Sequence, residues 1–211
     1  MPEKIFREFL DKVVHLRKDQ INAAAETLAR SFYNYPLLVH VFSDESDREQ
    51  KLNHLFRFII RYGLRYGEVY TTSENLEGIA VWLPPEESNT TMLKQIRCFS
   101  LSFLVRIGRI LKKRYLPIDV HAKKAHGLIA PFPHWYLRVI GIDPIHQKKG
   151  FGKLLINYMI TRLEIEKTPI YLETYLEKNV DYYENLGFKL LEESSVLNTG
   201  LKRWHMIKIK K

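Results

Sequence analysis

The feature that most limits the fold lies in the second half of the chain, where a β-prone run passes through a glycine-containing loop into an amphipathic helix. Residues Trp135–Ile142 favour a strand, and Asp143-Pro144 then breaks it. Residues Phe151–Lys167 repeat apolar side chains at helical spacing. A strand, a tight turn and a helix in this order predict a mixed α/β domain with a sheet at its centre.

Strand and helix patterns also alternate elsewhere. Helices are predicted over Asp19–Phe32, Asp47–Tyr66, Thr91–Arg114 and Val180–Leu186. Asn34-Tyr-Pro36 is predicted to stop the first of them. Strands are predicted over Glu68–Thr72, Ile79–Leu83, Pro169–Thr174, Phe188–Glu192 and Trp204–Ile209. Pro117 and Gly127–Pro133 are predicted to be loops. We expect one domain over residues 1–211, with a helical and loop insertion over 83–133 and a functional core over 135–193.

Composition and charge argue against several classes of protein without deciding the function. The net charge is +9, but the basic residues are scattered, and no helix-turn-helix or aromatic RNA-binding pattern accompanies them. We therefore expect no nucleic-acid partner. No apolar run approaches the ~18 residues that span a membrane, so no membrane span is expected. A single cysteine, Cys98, allows no intrachain disulfide and fits a reducing, cytoplasmic location.

The loop between the strand and the helix has the chemistry of an anion site. The first amides of a helix lack internal partners, and the helix dipole adds partial positive charge to them. Two glycines allow a phosphate to approach the backbone, and three lysines add charge. These candidate residues are Gln147, Lys148, Lys149, Gly150, Phe151, Gly152 and Lys153. The pattern matches neither a P-loop nor the dinucleotide fingerprint.

A second motif follows about thirty residues later. The loop reads Gln-x-x-Gly-x-Gly over 147–152, and residues 179–188 read Asn-x-x-x-Tyr-Glu-x-x-Gly-Phe after the next strand. The two motifs in this order and spacing resemble the GNAT superfamily of N-acetyltransferases. The resemblance covers about residues 135–193 and is closest to the branch that contains puromycin N-acetyltransferase. It implies a GNAT-like twisted sheet flanked by helices, whereas residues 91–130 match no part of the family pattern.

The resemblance also implies roles for single residues. The strand before the loop contributes its backbone to the pantetheine arm of coenzyme A, which places Val139, Ile140, Gly141 and Ile142 there. The loop residues hold the pyrophosphate, and Asn179 bonds the arm. Tyr183 protonates the leaving thiolate as a general acid. Adjacent helical residues point about 100° apart, so its neighbour Tyr182 is assigned to cofactor contact instead.

An amine must be neutral before it attacks, so a base is expected. Glu173 is the candidate because it lies on the strand beside the cofactor, although a structural bond to a neighbouring element would equally explain this carboxylate. The histidines His121, His126, His134 and His146 lack the spacing of a metal site, and no metal is expected. The basic segment Thr91–Arg114 fits a helix that covers the sheet, a wall or lid of the acceptor site, or a membrane contact.

The sequence thus predicts an enzyme that transfers an acetyl group from acetyl-CoA, its co-substrate, to a primary amine of a small molecule. A protein or peptide acetyltransferase is the first alternative. A basic nucleic-acid-binding module and a non-catalytic coenzyme A-binding module are alternatives of another class. By analogy with the family, a homodimer is also expected, although no pattern in the sequence itself indicates one.

Overall fold

The structure is a computed structural model that describes residues 13–87 and 91–209. Within this part seven strands form one sheet in the spatial order β1-β2-β3-β4-β5-β7-β6. The strands are β1 Val14–His15, β2 Glu68–Thr71, β3 Gly78–Leu83, β4 Trp135–Ile142, β5 Ile170–Thr174, β6 Lys189–Ser195 and β7 Lys202–Lys208. Strands β4 and β5 are parallel, and the other neighbours in the sheet are antiparallel.

The helices lie on both faces of this sheet. They are α1 Ile21–Ser31, α2 Pro36–Val41, α3 Arg48–Tyr66, α4 Met92–Ile96, α5 Leu101–Phe103, α6 Leu116–Ile129, α7 Phe151–Glu166 and α8 Lys178–Glu184. Alternate residues of each strand point to opposite faces. Ile79 and Val81 therefore pack with α1, α2 and α3, whereas Ala80 and Trp82 pack with α7. The mixed α/β class with a central mixed sheet is confirmed.

Helix α3 shows how closely the layers pack. Its apolar stripe, which includes Leu52, Phe56 and Ile60, is fully buried against the sheet. At Gly63 an added Cβ would lie 2.6 Å from a methyl of Val81 and 2.7 Å from a methyl of Val69. This glycine therefore sets the distance between helix and sheet.

The chain between β3 and β4 differs most from the prediction. A single helix over Thr91–Arg114 is wrong, and so are the loops at Pro117 and at the start of Gly127–Pro133. After α4 the chain is helical from Leu101 to Ile129, through α5, two π-helical stretches at Leu104–Gly108 and Leu111–Tyr115, and α6. Pro117 lies in the first turn of α6, where its missing N–H interrupts no α-helical hydrogen bond.

Two short elements were not predicted. Strand β1 adds an edge of two residues beside β2, and Pro36, predicted only to stop α1, begins α2. A proline in the first turn of a helix is compatible with both roles. In the described ranges no helix has both the length and the apolar character needed to cross a lipid bilayer.

Candidate active site

The two parallel strands separate at the centre of the sheet. Strand β4 pairs with β5 at three positions, from Trp135 with Ile170 to Leu137 with Leu172. Beyond these pairs β4 continues to pair with β3, and β5 continues to pair with β7. The strands therefore diverge, and backbone groups of β4 that a continuous sheet would cover face a gap.

A β-bulge lies where the gap opens. Val139 pairs with Val81 and Leu137 pairs with Trp82, so Arg138 is one extra residue in β4. The bulge turns Arg138 and Val139 toward the same face. Arg138 Nη2 donates to the Tyr115 hydroxyl at 3.1 Å, while Val139 packs with the α1–α3 layer. The bulge thereby places a guanidinium at the mouth of the gap.

A cavity of about 140 Å³ occupies the gap, and we call it the central cavity. Both strands line it, together with the helices around their ends. Its lining includes Tyr35, Leu137, Arg138, Val139, Ile140, Leu172, Glu173, Thr174, Asn179 and Tyr183. Five residues that the sequence motifs singled out are thus brought together here: Val139, Ile140, Glu173, Asn179 and Tyr183.

The glycine loop lies beyond the carboxyl end of β4, outside the lining of the central cavity. Lys148 and Gly150 have positive φ values of 63° and 88°, which curve the backbone before α7. No side chain caps the start of α7. Among the described residues, none of the amides from Lys148 to Lys153 has a hydrogen-bond partner. Free amides at the start of a 16-residue helix, with exposed lysines beside them, form a donor set suited to a phosphate group.

Hydrogen bonds and one ion pair fix the turn that leads into this loop. Asp143 Oδ1 accepts from the Ile145 amide at 3.2 Å, and Gln147 Nε2 donates to the Ile142 carbonyl at 3.3 Å. Arg30 of α1 donates to Asp143 Oδ2 through Nε at 2.9 Å and Nη2 at 2.6 Å. The predicted loop residue Gln147 therefore supports the turn with its side chain.

Helix α1 also explains a glycine of β4. An added Cβ at Gly141 would lie 2.7 Å from Leu28 and 2.9 Å from both Phe32 and Ser31. Gly141 is thus required for α1 to pack against the strand, a reason independent of any ligand. Ile142, the last residue of the strand, packs with the opposite layer.

The two neighbouring tyrosines of α8 have different surroundings. Tyr183 is 6% exposed and lines the central cavity, and burial raises the pKa of its hydroxyl. That hydroxyl has no hydrogen-bond partner among the described residues. Tyr182 is 40% exposed, and its hydroxyl lies 3.0 Å from the position of a Cβ on Gly152, at the start of α7. Burial raises the pKa of Tyr182 to about 12.

Asn179 and an unpredicted residue, Tyr35, hold the end of β5. Asn179 Nδ2 donates to the Thr174 hydroxyl at 3.0 Å. The hydroxyl of Tyr35, the residue before α2, accepts from the Tyr175 amide at 2.9 Å. The sequence pattern around Tyr35 indicated only the end of a helix, so nothing in it pointed to this contact.

Glu173 is the first residue of β5 beyond the three pairs with β4. Its side chain is buried and lines the central cavity. The Tyr171 hydroxyl donates to Glu173 Oε1 at 2.9 Å, and Arg203 Nη1 lies 3.8 Å from Oε2. Burial raises the pKa of Glu173, and the Arg203 charge and the Tyr171 hydrogen bond partly oppose this shift. Glu173 therefore forms a structural hydrogen bond and also lines the cavity. These two features correspond to the structural and catalytic roles that the sequence analysis left as alternatives.

A directed chain of hydrogen bonds leads to this carboxylate. Arg203 Nε donates to His205 Nε2 at 3.2 Å, so the proton of a neutral His205 lies on Nδ1. His205 Nδ1 is 2.6 Å from the Tyr171 hydroxyl, which in turn donates to Glu173. Each group thus donates to the next and stabilises the ionised form of Glu173.

Three buried histidines predict how stability depends on pH. Burial lowers the pKa of His126 and His205 to about 3 and also lowers that of His134. In the unfolded chain each ordinary pKa is near 6.5, so acid adds protons to the unfolded state first. We therefore expect the free energy of unfolding to fall as the pH drops from 7.5 to 5. Below the unfolded-state pKa of about 6.5, each histidine contributes a fall of up to about 1.4 kcal/mol per pH unit.

Urea unfolding at pH 7.5, 6 and 5 measures this dependence. His205→Gln, which removes one titrating group, is expected to give a shallower slope than the natural chain. Equal slopes for the two proteins would contradict a neutral, buried His205.

The spacing of His121, His126, His134 and His146 in the sequence does not predict a metal site. His126 and His134 do meet, with their Nε2 atoms 2.8 Å apart. In residues 13–87 and 91–209, however, no three or more His, Cys, Asp or Glu side chains are grouped to hold a metal ion.

Comparison with known proteins adds to this geometry. A model of the Acetyltransferase (GNAT) family matches residues 118–188. An uncharacterized N-acetyltransferase of Schizosaccharomyces pombe is 28% identical over 178 residues, which cover 81% of this chain and 71% of that protein.

Two solved structures show the same fold. One, described as histone acetyltransferase HPA2 and related acetyltransferase from Corynebacterium glutamicum, has a TM-score of 0.68 at 20% identity, covering 95% of this chain and 96% of that one. A mosquito arylalkylamine N-acetyltransferase like 5b has a TM-score of 0.55 at 14% identity, covering 94% and 99%. Residues 118–188 are thus similar to the GNAT family, and the family model and the yeast relative support an acyltransferase enzyme.

Proposed function

We propose that this enzyme transfers an acetyl group from acetyl-CoA to a primary amine of a small molecule, by direct attack in a ternary complex. The observation that carries the proposal is the gap between β4 and β5, with the Glu173 carboxylate and the Tyr183 hydroxyl on its lining and the free amides of the glycine loop beyond the end of β4. GNAT enzymes generally use acetyl-CoA as co-substrate.

The donor set of the loop supports coenzyme A as the ligand. Its pyrophosphate would be bound by the free amides of Lys148–Lys153, because N–H groups at a helix start favour anions. Gln147, Phe151 and Tyr182 shape this end of the site, and Val139 to Ile142 offer backbone groups for the arm of the molecule. Acetyl-CoA supplies an acetyl group that is already activated as a thioester.

The residues of the chain then perform three tasks. Glu173, whose ionised form the Tyr171 hydroxyl and the Arg203 charge favour, removes a proton from the ammonium form of the acceptor. The neutral nitrogen forms the new C–N bond, while a backbone amide of β4 stabilises the negative charge on the carbonyl oxygen. The C–S bond breaks, and Tyr183 donates its proton to the leaving sulfur. The nitrogen loses a second proton as the amide forms, the Tyr183 phenolate regains a proton through solvent, and the acetylated amine and coenzyme A are released.

The finer points of the assignment stay predictions. Likeness to the puromycin N-acetyltransferase branch rests on the Leu-Glu-Thr run at 172–174 and the 179–188 motif. The division into an insertion over 83–133 and a core over 135–193 and a cytoplasmic location are likewise proposed from the sequence. A homodimer is proposed from the family resemblance alone.

A thermal shift measurement tests the co-substrate site. A ligand at 100 times its Kd stabilises the folded state by about 2.7 kcal/mol, which raises the Tm of a chain of this size by about 5–10 °C. We expect such a rise with acetyl-CoA and with coenzyme A, and none with ATP. No shift at millimolar coenzyme A would contradict the site, and duplex DNA binding would then be measured.

A thiol-release assay with small amines and with peptides then tests the acceptor. Turnover of small amines supports the proposal. Faster turnover of peptide N-termini or lysines would replace it by protein acetylation, and binding of acetyl-CoA without any transfer would indicate a non-catalytic member of the family.

A further inference from the structure

A second cavity lies beside the central cavity. It has a volume of about 380 Å³, within the range of small-molecule sites, and we call it the apolar chamber. Its walls come from α3 and from the helical segment between β3 and β4. Aromatic and aliphatic side chains dominate the lining, among them Phe58, Phe99, Phe103, Leu104 and Leu111. Apolar walls of this kind hold water poorly and favour an apolar occupant.

The chamber and the central cavity share a wall. Tyr115, Asp119 and Arg138 line both, together with Leu55 and Ile59. This shared wall is the polar end of the chamber. Asp119 forms an ion pair with Lys123 at 2.7 Å, and Glu173 lies on the central side of the wall.

We propose that the apolar chamber holds the body of the acceptor, which makes the substrate class primary amines carried on an alkyl or aryl group. The inference rests on the proposed function and names its acceptor. The amino end lies at the shared wall, between Asp119 and Glu173, and the apolar part extends away from the sheet.

Charge at the shared wall distinguishes this occupant from a long acyl chain. An amine reaches the site as a cation, which the carboxylates of Asp119 and Glu173 attract and from which Glu173 accepts a proton. Arg138 and Lys123 also line the central cavity and offset part of this attraction. An acyl chain carries no charge, so the carboxylates at the polar end would contribute nothing to its binding.

One glycine allows the chamber to be filled without disturbing its walls. Gly108 lines the chamber, and the nearest atom to an added Cβ is Leu104 Cδ2 at 4.0 Å. Gly108→Phe therefore adds a ring at the chamber lining without a clash at its Cβ, and we expect the ring to take up part of the free volume. Val105→Phe is the matched control, because Val105 belongs to the same π-helical stretch, is 73% exposed and does not line the chamber.

The experiment measures kcat/KM with acetyl-CoA for propylamine through hexylamine and for phenethylamine. Burial of each added methylene is expected to raise kcat/KM about fourfold in the natural enzyme and in Val105→Phe. In Gly108→Phe the ratio of hexylamine to propylamine is expected to fall by about tenfold or more.

Three results would overturn the inference. The first is the same kcat/KM for short and long amines, and the second is transfer to peptides with no alkylamine turnover; both leave acetyl transfer itself standing. The third is a preference for hexanoyl-CoA over acetyl-CoA that Gly108→Phe removes, which would place the acyl chain in the chamber. Failure of the proposed function has a different signature, no thiol release with any amine or peptide.

Discussion

Tyr183→Phe is expected to lower kcat by about 10²- to 10⁴-fold, the usual range for loss of a general acid. The ring would remain buried beside Phe188, and the missing hydroxyl breaks no hydrogen bond among the described residues. We therefore expect the Tm to change little and the Kd of coenzyme A to stay within a few fold. Stopped-flow or steady-state thiol release measures kcat, calorimetry of coenzyme A binding measures the Kd, and thermal unfolding measures the Tm.

Tyr182→Phe provides the matched control. This substitution also removes one phenolic hydroxyl, but from the preceding residue. The Tyr182 side chain contacts the start of α7 and does not line the central cavity. Its effect is expected on the KM for acetyl-CoA, by a few fold, with kcat retained. If Tyr182→Phe lost kcat and Tyr183→Phe kept it, the two roles would have to be exchanged.

Glu173→Gln is expected to lower kcat/KM by about 10²- to 10⁴-fold, because the amide cannot accept the proton of the acceptor. Gln keeps an oxygen for the Tyr171 hydroxyl, whereas Ala would remove the acceptor of that hydroxyl and the carboxylate charge that faces the buried Arg203. Activity of Glu173→Gln close to that of the natural enzyme, in protein shown to be folded by its Tm, would remove Glu173 from the mechanism.

The pH profile separates a catalytic Glu173 from a structural one. Activity of the natural enzyme is expected to fall in acid as Glu173 gains a proton, and burial places that fall above the ordinary glutamate range. The Tyr171 hydrogen bond lowers the pKa of Glu173. Tyr171→Phe is therefore expected to move the acid limb of kcat/KM to higher pH, and a purely structural carboxylate would leave the limb in place.

Most of the fold could be predicted because apolar spacing and turn residues agree in the same segments. The prediction for β4 matches Trp135–Ile142 at both ends, and α3 starts one residue after the predicted Asp47. The helical region Leu101–Ile129 could not be predicted in this way, because π turns shift the phase of the apolar pattern. Pro117 then appeared as a break although it lies in a first turn.

The candidate site could be predicted where its residues are close together in the sequence. Gln147 to Gly152 and Asn179 to Tyr183 are local motifs, so the sequence alone could single them out as candidates. Three other residues also line the central cavity. Arg138 lies there because of the β-bulge, Asp119 because of α6 and Tyr35 because of the start of α2. Their placement depends on tertiary contacts that no local pattern contains.

The contacts of α1 and of Tyr35, taken together, form a brace across the gap. Through Arg30 and Asp143 the first helix holds the end of β4, and a few residues later the Tyr35 hydroxyl holds the chain just after β5. One short stretch of chain thus keeps the two diverging strands at a fixed separation without help from a ligand. A molecule that enters the gap meets walls that are already in place, so its binding requires little ordering of the protein. Its rate of association is then set by diffusion and orientation, as for a rigid receptor, rather than by the opening of the sheet.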